Sequence, residues 1–263
     1  MHLPNRFPNL RLFKALLFIA PFLGLSSRGE DTVQLDRYVV TGIPLEDSVN
    51  PLTRDISSVL GDARDILNTP RAVSSISEAL LNERGIHGVK EFIVYTPGGY
   101  ASSSYGLATT PNLRGDTAET YLNGQRRSYN LYGFLPSWNG VEAVDIVRGP
   151  GSAVFGAGFF TGGYVNYVTK QPKFSGPETT VTTRFGTWAP GSVSYLNASV
   201  QIDTTAPVSD KLAWRISYEG KGGDTFYKKN GVSDDREDLF AALTWKPTSR
   251  LTFALNAQWE WQN

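Results

Sequence analysis

The sequence predicts a compact α+β domain followed by antiparallel strands of a transmembrane β-barrel, with the barrel incomplete in this chain. Three observations carry that prediction. A basic and then apolar leader opens the chain. A middle block mixes short strand-like and helix-like segments with Gly-rich turns. After Pro172, about five segments of about 8 to 11 residues alternate apolar and polar side chains, the pattern of strands that meet lipid on one face and a polar lumen on the other. A soluble β-sandwich also alternates, but its strands usually run nearer about 5 or 6 residues.

The leader has Arg6, Arg11 and Lys14 ahead of the apolar run ALLFIAPFLGL (15–25), then Ser26 and Ser27. This is the layout of a secretory signal peptide, assigned to residues 1–27. The run is about 11 residues, against about 20 for a spanning helix, and Pro21 interrupts it. A membrane crossing by this protein therefore has to be made by strands. Residues 28–68 form a polar segment and linker. Its one extended apolar patch, DTVQLDRYVVTG (31–42), suits either strand addition to a partner's sheet edge or an ordinary first strand.

Residues 69–175 read as the α+β domain. Ala72–Ile76 is strand-like, and Ser75 and Glu78 have capping-box spacing before a short helix, Glu78–Arg84, stopped by Gly85. A second short helix over Val89–Val94 ends near Tyr95, because Pro97 disfavours helical geometry at Thr96. Ala118–Leu122, Val141–Val147 and Tyr164–Thr169 read as strands, Asn123-Gly124 as a tight turn, and Ser152–Phe155 as one helical turn. In residues 176–263 the strand candidates are Thr179–Trp188, LNASVQID from Leu196, LAWRISYE (212–219), LFAALTW (239–245) and LTFALNAQWEW (251–261). Lys246–Arg250 reads as a tight turn and Gly220–Asp238 as a long charged loop. Trp188, Tyr218, Trp245, Trp259 and Trp261 near the strand ends suit interfacial girdles.

Composition excludes several chemistries. Lys and Arg number 25 against 25 Asp and Glu, so there is no basic footprint for nucleic acid. Cysteine is absent, and His87 is the only histidine beyond the leader, which leaves no Cys- or His-based metal site. His87 is expected at the surface or in a loop. Gly149-x-Gly151 lacks the third glycine of a dinucleotide fingerprint, and Gly151 and Gly156 have P-loop spacing without the following Lys and Ser/Thr. These glycines are better suited to tight turns and close backbone packing. No G-x-S-x-G elbow is present, and no enzyme is expected. The cluster Asp234, Asp235, Arg236, Glu237 and Asp238 reads as a solvated loop or a Ca²⁺ contact. Arg114 and Arg148, each before a glycine, suit either latches to carboxylates of a barrel wall or exposed turns. Glu142 and Asp145 are local carboxylates able to share such a network.

Six motifs then occur in an order that resembles the N-terminal part of TonB-dependent outer-membrane receptors: TPRAVSSIS (69–77), PGG (97–99), NLRG (112–115), YLNGQR (121–126), VEAVDIVRGPGSAVFG (141–156) and GGYVNYVTKQP (162–172). The last looks most like the ferric-siderophore branch. The resemblance implies an α+β plug domain inside a barrel of the bacterial outer membrane, in contact with its lipid, and uptake of an Fe(III)-siderophore energised by TonB, with no cofactor. It implies a TonB box at Asp31, Thr32, Val33, Gln34 and Leu35, and a plug latch at Arg114 and Arg148 with Glu142 and Asp145. It places ligand contacts in the apical loops 102–110 and 125–138, at Tyr105, Arg127, Tyr129 and Tyr132. Cobalamin, an oligosaccharide, or surface binding without translocation are the alternatives. A 22-stranded wall needs more than about 200 residues of strand. The chain is therefore expected to hold only the first about five strands and not to transport alone.

Overall fold

The computed structural model describes residues 55–104, 107–108, 110–127, 138–151, 153–156, 158–188, 195–224, 233 and 235–262. The leader and the 31–35 segment lie outside the described residues. No helix among the described residues is long and apolar enough to cross a membrane.

The α+β domain begins with strand β1 (Ala72–Ile76), helix α1 (Glu78–Arg84) and helix α2 (Val89–Phe92). Ser77, not Ser75, caps α1: its Oγ accepts from the Leu80 N–H at 3.3 Å, while Ser75 stays in β1 and donates to Asp145. Gly85 closes the helix in the left-handed conformation, φ 61°, as a C-terminal glycine does. Helix α2 tightens into a 3-10 turn at Ile93–Tyr95 and stops at an extended Thr96 before Pro97. Short strands β2 (Gly99–Tyr100), β3 (Ser103–Ser104), β4 (Leu107–Ala108), β5 (Asn112–Leu113) and β6 (Asp116–Thr117) follow. Then come β7 (Glu119–Leu122), β8 (Gln125–Arg126), β9 (Val141–Arg148) and β10 (Gly163–Thr169). The main sheet has the order β1-β9-β10-β7-β8, with β10 parallel to β7 and the other neighbours antiparallel. Asn123-Gly124 and Arg114-Gly115 both have positive φ at two successive residues, the backbone of the tight hairpin turns that join β7–β8 and β5–β6.

Both faces of this sheet are covered. On one, Phe92, Trp138 and Tyr167 meet ring to ring with centroids 5.7 to 6.1 Å apart, among Leu80, Val89, Val144, Ile146 and Val165. On the other, Tyr121 and Tyr164 pack at 4.9 Å beneath Ile56 and Val59, with Val73 and Val147. The alternation of side chains along a strand divides the residues between the two layers, as Val147 and Ile146 do. Ile56, Val59, Leu60 and Ile66, ahead of Thr69, thus belong to the packed body.

Five long strands form a second sheet in sequential antiparallel order: β11 (Glu178–Trp188), β12 (Tyr195–Ser209), β13 (Leu212–Gly223), β14 (Arg236–Thr248) and β15 (Leu251–Gln262). They run past the expected ends. The 246–250 turn shrinks to Ser249–Arg250, because a register irregularity after Trp245 lets the strand continue past Pro247. The long charged loop loses both flanks to β13 and β14: Asp238 is fully buried and lies 3.1 Å from Arg236 Nε, so this part of the cluster is neither solvated nor a loop. One face of the sheet carries Val181, Phe185, Ile216, Leu239, Leu243, Leu255 and Trp259, all exposed, and Trp245 stacks on Phe253 at 5.4 Å. The other carries Arg215, Ser217, Glu219, Asp238 and Thr244, all buried against the α+β domain or one another.

Phe92→Ala removes the ring at the centre of the aromatic layer. It is expected to destabilise the domain by about 3–5 kcal/mol, read as a fall in its urea midpoint. A midpoint within error of the parent would show that this layer does not hold the domain.

Candidate functional site

The polar face of the long-strand sheet and the α+β domain meet along a seam, and the seam is built around two residues. The first is Arg215, an inward residue of β13, only 5 % exposed. Its Nε and Nη2 donate to the two oxygens of Asp203 in β12, each at 2.9 Å, in the bidentate geometry that a planar guanidinium favours. Nη2 also reaches Glu78 at the start of α1 at 3.1 Å, and Nη1 donates to the Gln171 carbonyl at 3.2 Å. Lys170 Nζ meets the same Asp203 carboxylate at 2.5 Å. Two cations and two carboxylates thus tie α1, the segment leaving β10, and two long strands together. Lys173 N–H adds a bond to Thr205 Oγ1 at 3.0 Å.

The second is Asn139, in the 3-10 turn Trp138–Gly140 that leads into β9, with no exposed surface. Its Nδ2 donates to the carbonyls of Ser217 (2.7 Å) and Asp238 (3.2 Å), and its Oδ1 accepts from Gln201 Nε2 (3.0 Å) and Ser217 Oγ (2.5 Å). The amide makes the four hydrogen bonds it is able to make. Gly140 beside it is a steric requirement: a Cβ there would lie 2.5 Å from Phe240 Cδ2 and 2.8 Å from Gln258 Nε2. Asn256 Nδ2 in β15 donates to Thr169 Oγ1 at 3.2 Å. Between α1 and strands β11–β13 the seam opens into a polar crevice of about 600 Å³ lined by Glu78, Asn82, Glu142, Lys173, Asp203 and Arg215.

The predicted site residues are distributed as follows. Asp31, Thr32, Val33, Gln34 and Leu35, and Tyr105, Tyr129 and Tyr132, lie outside the described residues. Arg127 is exposed beyond β8, its N–H on the Thr120 carbonyl. Arg114 and Arg148 are not brought together with Glu142 and Asp145. Arg114 is exposed in its turn and lies against Gly149, where Arg71 also reaches the Pro150 carbonyl at 3.0 Å; Arg148 Nη1 donates to the Pro97 carbonyl at 3.3 Å. Asp145 is buried instead among hydroxyls, accepting from Ser58 and Ser75, and Glu142 accepts from the Gln171 N–H at 2.9 Å. His87 sits in the loop between α1 and α2, as expected, and is half-buried there.

The Gly-rich 149–163 stretch packs as a loop over β7. Glu119 accepts from the Phe159 N–H at 2.5 Å and from Tyr121 OH at 3.0 Å; burial first, then this carboxylate, push the Tyr121 phenol up to about 12. Asp116 accepts from both N–H and Oγ1 of Thr161, and those bonds, the backbone one first, hold its carboxyl below the usual range. A side chain at Gly162 would run into the Leu113 carbonyl, so glycine there permits close backbone approach.

Arg215 and Asn139 were not singled out by sequence. The only signal for Arg215 is its place between Ala213 and Ser217, on the polar face opposite Trp214 and Ile216. Asn139 has no such signal. Arg215→Leu leaves Asp203 and Glu78 short of a partner and is expected to weaken the seam by about 3–5 kcal/mol, seen as faster protease cleavage within residues 171–177. Asn139→Leu leaves buried acceptors and donors unpaired, at about 1–3 kcal/mol each, and should lower the unfolding midpoint without altering the long-strand sheet. Unchanged proteolysis and midpoint would remove these residues from the seam.

Residues 65–163 match the family model of the TonB-dependent Receptor Plug Domain. The ferrioxamine receptor of Yersinia enterocolitica is 26 % identical over 253 residues, 92 % of this chain and 34 % of that protein. The ferrioxamine B receptor of Salmonella typhimurium is 26 % identical over 241 residues, 87 % of this chain and 31 % of that protein. The chain thus spans about a third of the length of the curated relatives it matches. Among solved structures, the alcaligin outer-membrane receptor FauA of Bordetella pertussis shares the fold with a TM-score of 0.60 at 18 % identity, over 79 % of this chain and 35 % of that one. The siderophore receptor PiuA of Acinetobacter baumannii does so with 0.63 at 21 %, over 80 % and 29 %. By the family match, residues 65–163 form a plug domain of the TonB-dependent receptor kind, and the chain as a whole is similar in sequence to about a third of outer-membrane ferrioxamine receptors and shares its fold with siderophore receptors.

Proposed function

We propose that the protein takes part in TonB-energised uptake of a ferric siderophore across the bacterial outer membrane. The observation that carries this reading is the plug domain seated on the polar face of strands whose other face is apolar. The relatives named for ferrioxamine make a ferric hydroxamate the first ligand to test. Two-residue turns at Asp210–Lys211 and Ser249–Arg250 join the strands at one end, and the longer connections 189–194 and 224–235 join them at the other. In outer-membrane barrels short turns face the periplasm and long loops the exterior, so the long connections are the side from which ligand arrives.

In this reading residues 1–27 are removed on export, 28–68 carry the TonB box at 31–35, 69–175 are the plug, and 176–263 are wall. Val33 and its neighbours pair with TonB as an added strand. Arg114 and Arg148 latch the plug to the wall; what supports this is the crowding of Arg71 and Arg114 on the Gly149–Pro150 turn, next to Arg148, with no ion pair to any of the three among the described residues. Glu142 and Asp145 support the latch by ordering the backbone around it. Arg127 and the loop tyrosines Tyr105, Tyr129 and Tyr132 contact the chelate, aromatic and guanidinium groups being suited to anionic or hydroxamate oxygens.

The test uses the receptor that carries this chain, in cells given ferrioxamine B as the only iron source. Val33→Pro removes a ladder donor; growth is expected to fall to that of cells lacking the receptor, while ferrioxamine B binding to the cells is unchanged. Growth at the parent rate would exclude strand pairing by the box. Absence of binding by the parent to hydroxamate, catecholate and carboxylate siderophores alike would exclude the siderophore reading.

A further inference from the structure

The stretch that precedes β1 packs on the α+β domain without joining its main sheet. Ile56 and Arg64 exchange backbone hydrogen bonds at 2.7 and 3.1 Å, which closes residues 56–64 into a loop of their own. Ile56, Ser58 and Val59 are almost completely buried, Ile56 and Val59 on the Tyr121–Tyr164 face of the sheet. Ser58 carries the polar contacts. Its Oγ donates to Asp145 Oδ2 and accepts from Asn166 Nδ2 at 2.9 Å, and its carbonyl accepts from Tyr164 OH at 2.6 Å. Ser75, Asp145 and Asn166 are register partners on β1, β9 and β10, so Ser58 sits over the middle of three strands. Ser75 Oγ donates to the other Asp145 oxygen at 2.6 Å. From the outer side Val154 of the Gly-rich loop reaches the same segment: a Cβ at Gly61 would lie 3.3 Å from Val154 Cγ1.

We propose that residues 55–64 are a releasable strap pinned by Ser58, and that the strap leaves before any strand of the domain when the chain is drawn from its N-terminal side. A pull from residues 31–35 reaches residue 55 before it reaches β1. The two differ in what holds them. The strap supplies no strand to the main sheet, so it parts by losing the bonds of Ser58 and a small apolar contact. β1 is laddered to β9 over five residue pairs, from Ala72 to Ile76. Segments held by few buried contacts open locally, ahead of the sheet they cover. Departure of the strap takes Ser58 from Asp145 and Asn166 and opens Tyr121 and Tyr164 to water. The sheet is then wetted on one face while Lys170, Asp203, Arg215 and Glu78 still tie the domain to the wall. Ser58 is thus a positioning residue. It acts through Asp145 and Asn166, and it sets the load at which the domain begins to open.

That a pull arrives from residues 31–35 rests on the TonB-box reading; release of the strap is measured without TonB or siderophore. The chain has no cysteine, so Leu35→Cys gives it a single handle. The protein is the receptor carrying this chain, any cysteine elsewhere replaced by serine, held in a supported bilayer and drawn at constant force through that handle. The parent is expected to lengthen first by about 35 Å, the extended length of about ten residues, and only later in larger steps. Ser58→Ala and Val59→Ala should each speed the first step by about tenfold and leave the later ones at the parent rate. Leu81→Ala, in the apolar layer on the other face of the sheet, should leave the first step unchanged and speed a later one. Val59→Ala decides the matter alone if Ser58→Ala does not assemble. Extension of the whole domain in one event overturns the proposal. So does a first step that neither strap variant speeds, or one that Leu81→Ala speeds as much as they do. Any of these outcomes leaves the TonB-box reading to the growth test with Val33→Pro.

Discussion

A backbone group inside a bilayer has no water to bond to, and that single constraint organises the long-strand sheet and the domain seated on it. Each strand passes its N–H and C=O groups to its neighbours and is left with two faces. Phe185, Ile216, Leu243 and Leu255 go to one side, where lipid accepts them, and Arg215, Ser217, Glu219 and Asp238 go to the other. The polar side is therefore not an optional surface. Something has to cover it, and whatever does so has to bring partners for guanidinium and carboxylate groups that are otherwise expensive to bury.

The plug meets that demand with hydrogen bonds and ion pairs in preference to apolar contact. Arg215 and Asp203 are matched by Lys170 and Glu78, so the cluster closes with no net charge. Asn139 adds an amide with every bond made, two of them to strand carbonyls. Polar contacts of this kind specify one seating sharply, because a small displacement leaves buried groups unpaired. They are also worth little more than the water that replaces them, about 1 kcal/mol each. The proposed uptake calls for a domain held firmly and then moved, which that combination serves, and the polar crevice beside α1 brings the replacing solvent close.

Local elements were legible wherever one residue type settles a backbone choice. Gly85 and Pro97 end α1 and α2 as expected, and Asn123-Gly124 makes its turn. The capping serine was misplaced by two positions, because Ser75 is held in β1 by its bond to Asp145, a residue 70 positions away in sequence. The ends of β13 and β14 were misjudged for a related reason. Charged residues at 236 to 238 look like loop in a linear reading, yet Asp238 enters the sheet because Arg236 and the plug stand over it.

The sequence by itself determined the two architectures and their order: period-two alternation separates the wall strands from the Gly-punctuated plug, and six ordered motifs identify the plug. It also pointed to close packing for the glycines between 149 and 163, and at Gly162 and Gly163 a Cβ would run into the backbone carbonyls of Leu113 and Val147. Only the tertiary structure decided what holds the two parts together. Arg215 and Asn139 are ordinary residues in their local sequence, and each joins the two parts through partners far away in the chain: Arg215 through Glu78, 137 positions away, and Asn139 through Ser217 and Asp238, 78 and 99 positions away. Pairing across such distances is set by sheet register and burial, which no local window of residues contains.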